Sequence, residues 1–173
     1  MPQEDLNHLT LQDSCLDAAI CRYVLEHMSR QTALGALGEI HRCLRPGGLI
    51  CAIDLDGYLY NIHPRSALVD KVIRRLMEMD QFDFHIGRKI PEMLQMVGLT
   101  EIKWKVEPIA FQGAELKEEI TLIRERFDQS LPFLASLLGS EVQARNFIEE
   151  YINCLHSTDT VLFYNKFIVQ AEK

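Results

Sequence analysis

The residues with chemistry to offer gather in two short stretches, 22–27 and 54–63. The first holds Arg22, Tyr23, Glu26 and His27; the second holds Asp54, Asp56, Tyr58, Tyr60 and His63. An imidazole titrates near neutrality, which makes His27 a candidate general base. The alternative for His27 is a histidine that packs or caps at the start of a helix. Glu26 suits bonding to nearby backbone donors better than proton transfer. The carboxylates, phenols and histidine of the second stretch are groups a small polar substrate would meet, and a solvated loop is the plainer alternative.

Other chemistries find little footing. The five cysteines show neither a Cys-x-x-Cys pair nor histidines at metal-ligand spacing, so zinc and a disulfide framework are not expected. Residues 47 and 48 are a glycine pair, but an apolar strand follows them where a phosphate cradle needs a helix start. The net charge of −7 argues against nucleic acid, whose backbone is bound by clustered Lys and Arg. Arg74 and Arg75 lie among Asp70, Glu78 and Asp80, as on a solvated helix face. No apolar run approaches the roughly 20 residues of a membrane span. The polar, acidic start resembles no signal or transit peptide. A reduced, cytoplasmic protein with no membrane or nucleic-acid partner is expected.

The elements that would position the two stretches follow from periodicity. Residues 1–15 read as a loop. From Leu16 the chain becomes apolar, with Ala18, Ala19, Ile20 and Cys21 in succession, as in a strand buried on both faces. Ala33, Leu34, Leu37, Ile40 and Leu44 have helical spacing, and Gly35 and Gly38 within that helix suggest a close neighbour. Arg45-Pro46-Gly47-Gly48 stops the helix, and residues 49–54 form a second buried strand. Residues 16–56 are thus a strand–helix–strand core, which should have a right-handed crossover. Helices are expected over 66–79, 91–97 with Pro91 at its start, 132–138 and 140–155 with Ser140 as cap, and one through Leu116, Ile120, Ile123 and Phe127. Residues 102–106 alternate as a strand with one wet face, and 160–171 form a β-rich closing run. A single α/β domain over 1–173 accounts for these elements. The helices of 64–81 and 114–156 are insertions, and 101–110 with 160–171 form a C-terminal strand pair.

The order of LQDSCLDAAICRYVLEHM, a helix ending in LRPGGLICAID, and IGRKIPEMLQMVGLTEI resembles class I S-adenosylmethionine-dependent methyltransferases. It is most similar to the small-molecule members with a D-x-S-F-D … VLEH … LKPGG signature. Here the signature reads Asp13, Ser14, Leu16 and Asp17 loosely, then Val24-Leu25-Glu26-His27, then Leu44-Arg45-Pro46-Gly47-Gly48. The resemblance implies a Rossmann-like sheet whose strands correspond to the family's fourth, fifth, seventh and sixth, the last strand antiparallel, with helical insertions that wall a substrate pocket. It implies S-adenosylmethionine as cofactor and a small-molecule methyl acceptor. On this resemblance Asp5 accepts from the adenine amino group, Leu6 lies beside the ring, and Arg22 and Tyr23 approach the cofactor's amino-acid end. Asp54, Tyr58, Tyr60 and His63 fall where the acceptor would sit, and His27 where a base would act.

The family's glycine-rich loop, of the form E/D-x-G-x-G-x-G, has no counterpart in this sequence. Nor is there the acidic residue that holds the ribose hydroxyls. The resemblance therefore implies a truncated sheet, with the first three strands of the family missing and the fourth left as an exposed edge. Such an edge calls for a partner, either a second copy of the chain or a complementing chain, and weakens the expectation of activity by this chain alone. The alternative is a non-catalytic, self-associating protein with the same fold.

Overall fold

The computed structural model describes residues 5–79 and 82–173. In chain order it has β1 (Leu16–Arg22), a 3-10 turn (Leu25–His27), α1 (Arg30–Cys43), β2 (Leu44–Asp56), β3 (Ile62–His63), α2 (Ala67–Met77) and α3 (Ile86–Met96). Then come β4 (Thr100–Phe111), α4 (Gly113–Gln129), α5 (Leu131–Leu138), α6 (Glu141–Leu155) and β5 (Val161–Glu172). The chain divides into two compact units. One comprises Met1–Tyr58, Met79–Pro108 and Asn165–Lys173, the other Leu59–Glu78 and Ile109–Tyr164.

In the first unit β1 and β2 run parallel, Ile20 beside Cys51 and Arg22 beside Ile53. β5 runs antiparallel to β2, from Leu49 beside Glu172 to Asp56 beside Asn165. β4 pairs with β5 on the far side. Thr100 bonds the Glu172 carbonyl and Trp104 lies against Phe167, an opposed sense that makes this pair antiparallel. The α/β class, the strand order and the antiparallel last strand thus match the expectation. Within this unit β1 and β4 are the outer strands.

The core lies on one face of these strands. Ile50 and Ala52 of β2 and Val169 and Ala171 of β5 meet Ala33, Leu37 and Ile40 of α1 and Ile90, Met93 and Leu94 of α3. Ser29 caps α1 by accepting from the Thr32 amide. A methyl at Gly35 would stand 2.7 Å from Asn7 Oδ1, so the close neighbour expected there exists, whereas nothing lies within 4 Å at Gly38. The opposite face differs from the reading of a strand buried on both sides. Ile20 is 78% exposed and Leu49 53% exposed, and of β1 only Cys21 is buried. A continuous apolar run reports that both faces tolerate burial, not that both are covered.

α3 is longer than expected. It begins at Ile86, so Pro91 sits inside it and not at its start. The stripe Ile86, Ile90, Met93, Leu94 runs through the proline, and the first turn is held by the Ile86 amide on the Asp83 carbonyl. Those anchors offset the helix hydrogen bond that proline cannot donate.

The second unit holds α2, α4, α5 and α6, with β3 paired to the start of β5. Ser66 and Ser140 cap α2 and α6 by accepting from Val69 and Gln143 amides. Phe127, Phe147 and Tyr151 pack edge-to-face in its core, and the Tyr151 hydroxyl donates to the Leu59 carbonyl at 3.0 Å.

The irregular first part of β2, where its register against β1 shifts between Leu44 and Leu49, depends on Gly48. A Cβ there would lie 2.8 Å from the Arg45 carbonyl oxygen and 3.2 Å from that of Leu16, both backbone atoms that cannot swing aside. Gly48→Ala is expected to destabilise the fold by about 1–3 kcal/mol, read as a lower midpoint in urea unfolding. Gly38→Ala, made into open space in α1, should be neutral or mildly stabilising by the same measurement.

Candidate functional site at the carboxyl ends of β1 and β2

Open α/β sheets bind ligands beyond the carboxyl ends of their parallel strands. Here those ends are Arg22 and Asp56. The Tyr23 amide donates to the Ile53 carbonyl at 3.0 Å, and Tyr23 then turns with φ +54°, the left-handed region that costs an aromatic residue on the order of 1–3 kcal/mol. The Arg22 guanidinium stacks over the Tyr23 ring, 4.6 Å from its centroid. Chain reversal at this point delivers the 3-10 turn of residues 25–27.

That turn is fixed by Asp54. Its Oδ2 accepts from the Leu25 amide at 3.1 Å and the Glu26 amide at 3.4 Å, and Oδ1 from the Leu55 amide at 2.9 Å. Burial raises the Asp54 pKa, against the pull of those backbone donors. Burial, with the Asp54 charge nearby, pushes the Cys21 thiol up to about 11. Cys21 is accordingly a neutral packing residue and no nucleophile.

Two residues on, Asp56 is fully buried and solves the same problem differently. Arg88 grips it with Nε at 2.7 Å and Nη2 at 2.6 Å, its amide adds a bond at 3.3 Å, and His85 Nδ1 stands 3.4 Å away. Burial works against ionisation, but the His85 and Arg88 hydrogen bonds outweigh it and hold the Asp56 pKa at about 2. The loop before α3 is tied to the 3-10 turn by the Asp83 amide on the Glu26 carbonyl, and Asp83 also binds Lys89. Phe82 lies edge-on to His27, with ring centroids 5.0 Å apart.

Of the residues singled out in the sequence, Arg22, Tyr23, His27 and Asp54 come together here. His27 is 61% exposed, with Nε2 3.4 Å from Glu26 Oε1. The Asp54 carboxylate is engaged by backbone donors. Leu6 is half-buried against the core cluster, and Asp5 is exposed, its carboxylate accepting from the Asn7 amide. Tyr58 ends the first stretch of this unit. Tyr60 and His63 belong to the second unit, Tyr60 under the Arg65 guanidinium and His63 exposed before a cis peptide bond to Pro64. Sequence reasoning missed His85 and Arg88, which lie about thirty residues from the carboxylate they serve. It also missed Arg42, which binds Glu39, Asp13 and the carbonyls of Leu9 and Leu11 and so lashes residues 9–13 to α1.

The Asp56 network carries a pH signature. Its carboxylate titrates lower in the fold than its ordinary 3.8, so its stabilisation is complete above about pH 4 and is lost as pH falls through about 2. A shift of this size corresponds to on the order of 2 kcal/mol. Asp56→Asn should be less stable than the parent by about that amount near neutrality, and the gap should close on acidification towards about pH 2, measured by urea unfolding across pH.

A family model for a methyltransferase domain matches residues 1–52. No curated protein matches the chain in sequence. Among solved structures it is similar to a S-adenosylmethionine-dependent methyltransferase from Methanosarcina mazei, with a TM-score of 0.54 at 12% identity over 98% of this chain and 65% of that one. It is similar to the (4+2)-cyclase SpnF, at 0.54 and 20% identity over 98% of this chain and 55% of that one. A third is Haemonchus contortus phosphoethanolamine N-methyltransferase 2 in complex with phosphomonomethylethanolamine and S-adenosylhomocysteine, at 0.51 and 17% over 98% and 36%. The chain thus spans between about a third and two thirds of the length of these structures. Residues 1–52 thus match a methyltransferase domain, and the chain has the fold of S-adenosylmethionine-dependent methyltransferases.

Proposed function

We propose that the chain takes part in S-adenosylmethionine-dependent methyl transfer to a small molecule, with polypeptide beyond these residues completing the cofactor site. The observation that carries this reading is the turn at residues 22–27. A strained Tyr23 and an exposed Arg22 stand beyond the carboxyl end of a parallel strand, over a 3-10 turn pinned by a buried carboxylate. Strain held against its cost at such a place is what a ligand-facing backbone calls for.

The residues present fit one side of the cofactor. Leu6 offers apolar surface for a ring, Asp5 an exposed acceptor for an amino group, and Arg22 a cation for the carboxylate of the amino-acid end. When bound, the cofactor supplies an electrophilic methyl group on a sulfonium. The chain's own part is to hold an acceptor behind that methyl and to take up its proton. His27, oriented by Glu26 Oε1, is the group placed for that uptake. Tyr58, of the same unit, is assigned to the acceptor, and Asp54 supports the turn that presents His27. Cytoplasmic residence, where thiols stay reduced, suits the five free cysteines. The acceptor is not set by the fold, as the cyclase among the similar structures illustrates.

A second reading has its own support: without an acid-x-G-x-G loop in the sequence, the chain alone serves as a non-catalytic, self-associating protein of this fold. The two separate by titration with S-adenosylhomocysteine followed by amide NMR. Micromolar binding corresponds to about −8 kcal/mol and millimolar to about −4, so half the contacts should leave millimolar affinity. Shift changes confined to Leu6, Arg22, Tyr23 and their neighbours, saturating in the millimolar range, are the expected outcome. No change at these amides overturns the cofactor assignment, and micromolar affinity overturns the need for further polypeptide.

A further inference from the structure

The outer strands β1 and β4 are built for different surroundings. β4 carries Lys103, Lys105, Glu107 and Pro108, and Glu107 is paired with Lys105 and with Lys166 of β5. Charges and a proline are how proteins blunt a sheet edge that faces water. β1 has no such device in its middle: Ala18, Ala19, Ile20 and Cys21 are uncharged, and its charges stand only at Asp17 and Arg22. Ile20 at 78% exposed continues into Leu49 at 53%, its diagonal neighbour on β2, so the open edge and the open apolar face are one surface. Among the described residues β1 pairs with β2 alone.

We propose that β1 is the docking strand for a second copy of this chain, the two β1 strands pairing antiparallel about a two-fold axis through Ile20. A two-fold axis along the sheet normal keeps each face on its own side. Residues that pair across it must therefore share a face. Ile20 then meets its own counterpart, and Arg22 meets Ala18. The charges decide the sense of pairing. Antiparallel strands bring Arg22 of each copy to within one residue of Asp17 of the other, whereas parallel strands in register would set Asp17 against Asp17 and Arg22 against Arg22. Opposed pairs of unlike charge and of aliphatic side chains each favour the antiparallel arrangement. The joined sheet removes both unblunted edges at once. It also places a second chain at the Arg22–Tyr23 end of the strand, so that self-pairing and completion of the cofactor site by other polypeptide exclude one another.

The test is sedimentation velocity over a wide concentration range, with hydrogen–deuterium exchange of the β1 amides, on the whole chain. The expected result is a species of twice the 19.9 kDa chain mass at high concentration, with amides of residues 17–22 protected in it. Ile20→Lys changes a side chain that is exposed in the fold, and should give a folded monomer with those amides unprotected. Lys105→Ala on the other edge should leave the dimer intact. A monomer at every concentration overturns the proposal. So does a dimer that survives Ile20→Lys, or one whose β1 amides exchange freely, which would mean association through another surface. Since none of these readouts involves a cofactor, their failure is distinct from failure of the methyl-transfer reading.

Discussion

Two buried carboxylates at one end of β2 govern what the chain can present. Asp54 and Asp56 lie two residues apart, so both side chains point to the same, covered face of the strand. Each would be costly there without partners. Asp54 takes its hydrogen bonds from the backbone of the turn after β1, and Asp56 takes a cation from α3. The first choice fixes the loop that follows one parallel strand; the second fixes the helix whose apolar stripe closes the core. One short acidic segment thus joins strand, turn and helix at the end of the sheet where ligands bind.

The different partners give the two groups opposite electrostatic character. Backbone amides carry partial charge, and against burial they leave the Asp54 pKa raised. A guanidinium carries a full charge in a geometry that matches both carboxylate oxygens, and it holds Asp56 ionised. The arrangement reserves Arg88 for structure while Arg22, a strand away, stays exposed.

What was legible in the sequence follows the range of the interactions. Caps act over three residues, so Ser140 marked α6, and the stripe of α1 named most of its buried residues. The strand–helix–strand core and the antiparallel last strand were readable for the same reason or through family resemblance, whereas the turn expected at Arg45-Pro46-Gly47-Gly48 is the irregular first part of β2. The Asp56–Arg88 pair was not, because nothing local ties residues 32 positions apart. Asp54 looked like a substrate contact since its sequence context shows a carboxylate after a strand and hides the amides of Leu25 and Glu26. His27 drew notice through its pKa class, whereas His85, as close to the buried Asp56 as His27 is to the buried Glu26, did not. The start of α3 was misplaced because proline is a stronger local signal than an anchor made elsewhere.

The misreading of β1 is the more instructive one. Ala18, Ile20 and Leu49 would suit a sheet covered on both faces, yet α1 and α3 both lie on the other side. Residue types record the environment a segment is suited to, and structure records the one it has within a single chain. Where the two disagree over a contiguous surface, the disagreement itself is information about what else touches the protein. At β4 they agree, since its lysines and proline suit an edge in water and it has one. At β1 they do not. The same chain therefore suits one margin of its sheet to water and leaves apolar side chains open on the other.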